Sequence, residues 1–291
     1  MNETRIQLQT ANIDLAVVGV ARNCAHSLQR DVAALEAATR AFRRVHFLVV
    51  ESDSTDGSVE VLTALNAAMP NFRYLALGSL SAAHPKRTDR IARCRNAYLE
   101  ELRSNPLYAA VSHVLVTDLD GVSRDIDAAA LGTCWASEVP WSACTANQGD
   151  VYYDIYALRH PFWCPVNVWR EHAALKPLLG RRAADDICVF SRMVHIDASR
   201  PMIEVESAFG GMAVYRRDAL LAAHYVGLSE DGEEVCEHVA LHATMRARGS
   251  RIFINPALIN ARTTRHGRRK HWLRKLRRRV RSWLKGGEDL L

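Results

Sequence analysis

No stretch of the 291 residues approaches the ~18 consecutive apolar positions that a membrane span needs, and the first residues lack the charged start and apolar run of a signal peptide. The seven cysteines are odd in number and form no C-x-x-C pair. That argues against a disulfide framework or a thiolate zinc site and for a reducing compartment, so the expected setting is cytoplasmic, soluble or peripheral at the inner face of a membrane. Repeats and low-complexity linkers are missing too. The first apolar run, 13–21, leads into Ala21, Arg22 and Asn23 rather than into G-x-G-x-x-G or G-x-x-x-x-G-K-[ST]. Neither a dinucleotide fold nor a P-loop enzyme is supported.

What is present is enough apolar material, 48% of residues, to build one large α/β domain or two small ones. Apolar runs alternate with helical patterns. Strands are expected at 13–21, 45–52, 72–78 and 112–121, and helices at 27–44, 56–69 and 89–104. Repeated β-α units predict a Rossmann-like, mostly parallel, doubly wound sheet flanked by helices, with right-handed crossovers. Ligands of such sheets collect where the strands end.

The net charge of +6 is unevenly spread. Twelve of the 38 basic residues fall between Arg262 and Lys285, where no acidic residue occurs; with Glu288 and Asp289 set aside, the rest holds 26 basic against 30 acidic residues. Within 263–291, Trp272, Leu276, Val280 and Trp283 recur at helical spacing among basic residues such as Arg279, a narrow apolar stripe on a cationic helix. The chemistry suits an anionic membrane surface, with nucleic-acid binding or a plain solvated terminal helix as alternatives.

The strand ends carry the polar residues. "ESDSTDGS" (51–58) supplies candidate helix caps in Asp53, Ser54 and Asp56. Glu51 is left with two readings: a structural carboxylate, or one that accepts hydrogen bonds from a ribose or base. "VTDLDG" (116–121) ends the fourth strand in two carboxylates at alternate positions. Side chains fixed so close repel each other and call for a cation, and a hard ion such as Mn²⁺ or Mg²⁺, shared with a diphosphate, suits the spacing.

The order of "VVGVARN" (17–23), "VVESDSTDGS" (49–58), "RIARCRNAYL" (90–99) and "LVTDLDGV" (115–122) resembles the nucleotide-binding half of a GT-A glycosyltransferase. The wording of the second and third segments is similar to the CAP59-like capsule-associated mannosyltransferases, and family 2 glycosyltransferases are a broader relative. The resemblance covers roughly residues 13–262. It implies a domain over 1–262, with a nucleotide-sugar half (13–122) and an acceptor and catalytic half (123–262), followed by the basic tail (263–291). It implies donor contacts from Ala21, Arg22, Glu51, Asp53, Arg90, Arg93, Asn96, Asp118 and Leu119, and a metal held by Asp118 and Asp120.

For the second half the resemblance implies that Gly210 and Gly211, after Phe209, form a loop whose backbone approaches the donor sugar. Glu237 would be the acceptor's general base if the transfer inverts and would have another task if it retains, as the CAP59 likeness implies; His238 stands where a second acid is usual, and Glu230, Asp231, Glu233 and Glu234 are neighbouring competitors. Asp154, in the aromatic segment 147–164, is expected near the acceptor. His266 would complete the metal site; His242, on the face of His238, is a second candidate. Arg181, Arg182, Asp185 and Asp186 read as a loop with no assigned role. The implied reaction moves a sugar from a GDP- or UDP-linked donor to a glycan or lipid-linked acceptor in surface-polysaccharide or lipopolysaccharide synthesis. Its rivals are a sugar-1-phosphate nucleotidyltransferase, whose G-x-G-T-R loop is missing here, and a non-catalytic membrane- or nucleic-acid-binding α/β protein.

Overall fold

A computed structural model describes residues 10–264. The basic tail therefore lies outside the described residues, and with it the expectations for His266, Trp272, Leu276, Arg279, Val280 and Trp283. Four strands form the first part of the chain: β1 (Asp14–Ala21), β2 (Arg44–Glu51), β3 (Phe72–Ala76) and β4 (His113–Asp118). Among themselves they pair in parallel, β1 lying between β2 and β4. The crossovers are α1 (Ala25–Thr39), α2 (Ser58–Ala68) and α3 (Arg87–Ser104). The boundaries fall close to those read from the apolar runs, because strands buried on both faces show unbroken apolar sequence.

The alternation of side chains divides the core. Leu15, Val17, Phe47, Val49 and Leu115 face α1 and α2 through Leu28, Leu35 and Leu62. Their neighbours Ala16, Val18, Leu48, Val50 and Val116 face the opposite way, onto Tyr98 and Leu99 of α3 and onto Leu241.

The second part extends the same sheet rather than building another. It adds α4 (Ala128–Ala136), β5 (Ala143–Gln148), α5 (Val168–Ala184), β6 (Ile203–Val205), β7 (Met212–Arg216), α6 (Arg217–Leu221), α7 (Glu237–Ala247) and β8 (Ile252–Ala261). The strand order is β3-β2-β1-β4-β7-β5-β8-β6, mostly parallel, with β7 and the edge strand β6 running against their neighbours. Because β7 is antiparallel to β4, it begins where β4 ends, Met212 opposite Thr117. This reversal brings the glycine pair of the second part to the carboxylates of the first.

The segment expected as a loop at 181–186 is instead the end of α5 and the start of a π-helical turn, Asp185–Phe190. Gly180 (φ +77°) breaks the helix for one residue only, and helical backbone resumes behind it. Among the described residues no helix is long and apolar enough to cross a membrane.

Candidate active site

A cavity of about 600 Å³ opens at the C-terminal ends of β1 and β4. Register places it: Val20 of β1 pairs with Asp118 of β4, so the turn after Ala21 and the acidic strand end share one rim. Of the residues singled out in the sequence, Ala21, Arg22, Arg90, Asp118, Leu119, Asp120, Asp154 and Glu237 line it. They come from five separate stretches of chain.

One buried side chain joins three of these stretches, and the sequence reading passed it over. Arg95 of α3 is 3% exposed. Its Nη2 donates to Asp118 Oδ1 at 3.0 Å, and its Nε donates to Glu237 Oε1 at 3.1 Å. The guanidinium carbon sits 5.1 Å from the centre of the Phe209 ring and 5.6 Å from that of Tyr225. A planar, forked cation on an aromatic bed is suited to hold two carboxylates at fixed positions, as a lysine is not. A signal for it was available: Thr88, Ala92, Arg95, Leu99 and Leu102 recur at alternating spacings of four and three, and all are buried. An arginine on that apolar stripe needs a buried partner.

The neighbouring candidates from the same helix are used differently. Arg93 is half-exposed and bridges to Asp89 at 3.2 Å. Asn96 pairs with the backbone of Tyr225, donating to its carbonyl and accepting from its amide, both at 2.9 Å. Neither lines the cavity. Arg90 does, with Nη1 donating to the carbonyls of His84 and Pro85, and Arg87 adds a further cation that the sequence reading had not named.

Glu51 and Asp53 also lie off the cavity. Glu51 is buried and accepts from the Ser54 amide at 2.9 Å; Asp53 accepts from the amides of Leu80 and Ser81 at 3.0 and 2.9 Å. The polar run 51–58 works as a clasp between two strand-end turns. Ser58 accepts from the Cys24 amide and Asp56 from that of Ala25, so they cap α1, while Asp56 also accepts from the Ser58 amide at the start of α2. The clasp fixes the turn that carries Ala21 and Arg22 into the cavity.

Gly210 and Gly211 act through their backbone. Both have positive φ, +69° and +81°. A Cβ on Gly210 would stand 2.5 Å from the Ala146 carbonyl oxygen, and one on Gly211 would stand 2.7 Å from Val122. The Gly211 carbonyl accepts from the Asp118 amide at 2.9 Å, and the Gly210 amide donates to Asp154 Oδ2 at 3.0 Å. The pair thus sets the positions of two acidic residues. Glu234, one of the competitors for Glu237, caps α3 through the Thr88 amide at 3.0 Å.

The cavity concentrates negative charge. Asp118, Asp120, Asp154 and Glu237 line one space. Burial pushes the Asp118 carboxyl up to about 7; Arg95 opposes this, and Asp120, Asp154 and Glu237 add to it. Burial likewise raises Asp154 to about 6 against the amide hydrogen bonds from Gly210 and Ala157. Below those pH values such carboxyls hold protons unless a cation replaces them. Among the described residues no group of three or more His, Cys, Asp or Glu side chains is placed to hold a metal ion. The donor set that is present, two carboxylates at a strand end, matches the few protein oxygens that Mg²⁺ or Mn²⁺ takes when phosphate supplies the others.

His242 does not contribute to such a set. Its Nδ1 lies 2.9 Å from Ser207 Oγ and its Nε2 lies 2.9 Å from Tyr215 OH, and burial lowers its pKa to about 3. It is a neutral core histidine. His238 lines the cavity, stacked on Phe209 at 3.8 Å between ring centres, and burial holds it well below the usual histidine range.

No protein-family model matches the chain, and no curated protein matches it. Among solved structures it is similar to the 1–349 fragment of TarS from S. aureus in complex with UDP-GlcNAc, at 14% identity over 88% of this chain and 60% of that one, with a TM-score of 0.49. It is similar to the mannosyltransferase PcManGT from Pyrobaculum calidifontis in complex with GDP-Man and Mn²⁺, at 14% identity over 85% and 56%, with a TM-score of 0.47. For glucosyl-3-phosphoglycerate synthase from Mycobacterium tuberculosis in complex with UDP, the values are 13%, 91%, 76% and 0.44. The chain spans less than two thirds of the length of the first two. At these identities the site has to be read from its own geometry.

Proposed function

We propose that the protein is a glycosyltransferase of GT-A type, moving a sugar from a nucleotide-diphosphate donor to an acceptor hydroxyl. One observation carries this reading: Arg95 clamps Asp118, from the D-x-D strand end, and Glu237, from the start of α7, onto one carboxylate-rich cavity. The cavity volume, about 600 Å³, falls in the range of small-molecule and cofactor sites. Its acids, together with Arg22, Arg87 and Arg90, give it the two charge types that a diphosphate and its counter-ion require.

Asp118 and Asp120 are the residues that would hold Mn²⁺ or Mg²⁺. The ion, when bound, would offset charge building on the departing diphosphate. Arg22, Arg87 and Arg90 would bind and orient the same group. Glu237, kept in place by Arg95, would take the proton of the acceptor hydroxyl in an inverting transfer, a contribution on the order of 10²- to 10⁴-fold. Asp154 would orient a sugar hydroxyl. The resemblance to CAP59-like enzymes makes a mannosyl donor the first to try, with surface polysaccharide or lipopolysaccharide synthesis at the inner face of the membrane as the setting, and the basic tail as a membrane tether.

Calorimetric titration of UDP, GDP and their sugars, with and without Mn²⁺, tests the reading. One nucleotide diphosphate should bind, and Mn²⁺ should strengthen it. No binding of any nucleotide diphosphate in the presence of the ion would remove the proposal, and selective binding of nucleoside triphosphates would favour a nucleotidyltransferase.

A further inference from the structure

A 17-residue helix at the surface of an α/β domain ordinarily buries a full apolar stripe. In α5 only Val168 and Ala184 are buried. Its main packing partner is the turn Asp185–Phe190 that continues it, so the helix stands off the sheet. Trp169, Leu178 and Leu179 are 49%, 76% and 51% exposed, and Phe162, at the tip of the small bridge between His160 and Cys164, is 93% exposed. Seven of the nine exposed large apolar residues among the described residues lie in 162–194. Singly such residues mean little, but gathered on one segment they mark a surface that something covers.

The charge of the segment says what. Residues 159–183 contain five Lys or Arg and one acid, Glu171. That acid is already taken, 2.6 Å from Arg192. Asp185, just beyond, is paired with His172 at 2.9 Å. Arg181 reaches Asp185 at 3.9 Å, and Arg170, Lys176 and Arg182 leave the segment that carries exposed Trp169, Leu178 and Leu179 with a net positive charge. Two copies of this face would repel each other across a two-fold axis. An anionic bilayer answers both features at once: basic heads meet lipid phosphates while tryptophan, phenylalanine and leucine enter the headgroup boundary.

We infer that α5 and the Phe162 tip form a membrane-docking surface for anionic lipid, separate from the basic tail. It stands without the glycosyl-transfer reading, although the segment that carries Asp154, Tyr156 and Ala157 into the cavity is the one that runs on to Phe162.

The test uses the full chain with vesicles of phosphatidylcholine alone and of phosphatidylcholine mixed with phosphatidylglycerol. The protein should sediment with the anionic vesicles, less so as salt is added. The triple variant Phe162→Ser, Leu178→Ser, Leu179→Ser should bind them at least about tenfold more weakly with an unchanged circular dichroism spectrum. A second readout does not depend on that variant's folding. All seven native cysteines are buried, so Phe162→Cys takes an environment-sensitive fluorophore selectively. Its emission should shift to the blue with anionic vesicles and not with neutral ones. An unmoved emission in vesicle-bound protein would assign the binding to the tail alone and overturn the inference. So would a triple variant that binds vesicles normally but turns a dimer into a monomer.

Discussion

Arg95 Nε lies 3.1 Å from Glu237 Oε1, a contact that ties the middle of α3 to the first residue of α7. The same guanidinium holds Asp118, and all three charges are shielded from bulk water to different degrees. Removing the cation from such a group leaves the acids unpaired, at a cost typically of about 3–5 kcal/mol. Arg95→Met is therefore expected to lose that order of stability in urea unfolding. Arg95→Lys keeps the charge but cannot reach both carboxylates with fixed geometry, so it should lose less stability while turnover still falls. Unfolding midpoints equal to those of the unaltered protein for both variants would mean that the bridge holds nothing together.

Glu237 and Asp120 separate binding from chemistry. Glu237→Gln preserves shape and can still accept from Arg95, so donor affinity should change by no more than about threefold while turnover drops on the order of 10²-fold or more if the residue is the acceptor's base. Asp120→Ala should instead abolish the gain in donor affinity that Mn²⁺ gives. Calorimetry on both variants beside steady-state rates tells the two roles apart. Equal losses of affinity in the two would contradict the assignment.

Much of this site could be read from sequence, and the reason is geometric. Asp118 and Asp120 follow an apolar run, and parallel sheets gather ligands where such runs end. Glu51 and Asp53 sit at similar positions, yet their side chains are spent on backbone amides of neighbouring turns. A polar residue at a strand end serves ligand or turn according to partners far away in the chain, which no local pattern reveals. Arg95 was hidden by company: Arg90 and Arg93 share its segment, and only helical phase separates the buried arginine from the exposed one. The reversal of β7, which carries Gly210 and Gly211 to Asp118, left no local trace at all.

The glycine pair permits a sharp test. Gly210→Ala places a Cβ 2.5 Å from a backbone carbonyl oxygen at φ +69°, so the loop must move. Strain of this kind costs about 1–3 kcal/mol. The shift would also displace the amide that donates to Asp154, so donor binding and turnover should fall with stability. Gly232→Ala is the control: it has a similar φ, +76°, with no heavy atom within 4 Å of the added Cβ, and should cost stability with little effect on turnover.

The pH dependence of cation binding follows from the raised carboxyls. Asp118 holds its proton up to about pH 7 and Asp154 to about 6 in the ligand-free protein. A divalent ion has to displace that proton. Apparent affinity for the ion with nucleoside diphosphate should therefore be full above about pH 7 and weaken as pH falls through 7, approaching tenfold per unit for one displaced proton. An ordinary surface aspartate would move this loss to near pH 4. Titrations of Mn²⁺ and the diphosphate across pH 5–8 distinguish the two. In Asp118→Asn the dependence should flatten along with the affinity, because the carboxyl that competes for the proton is the one that would hold the ion.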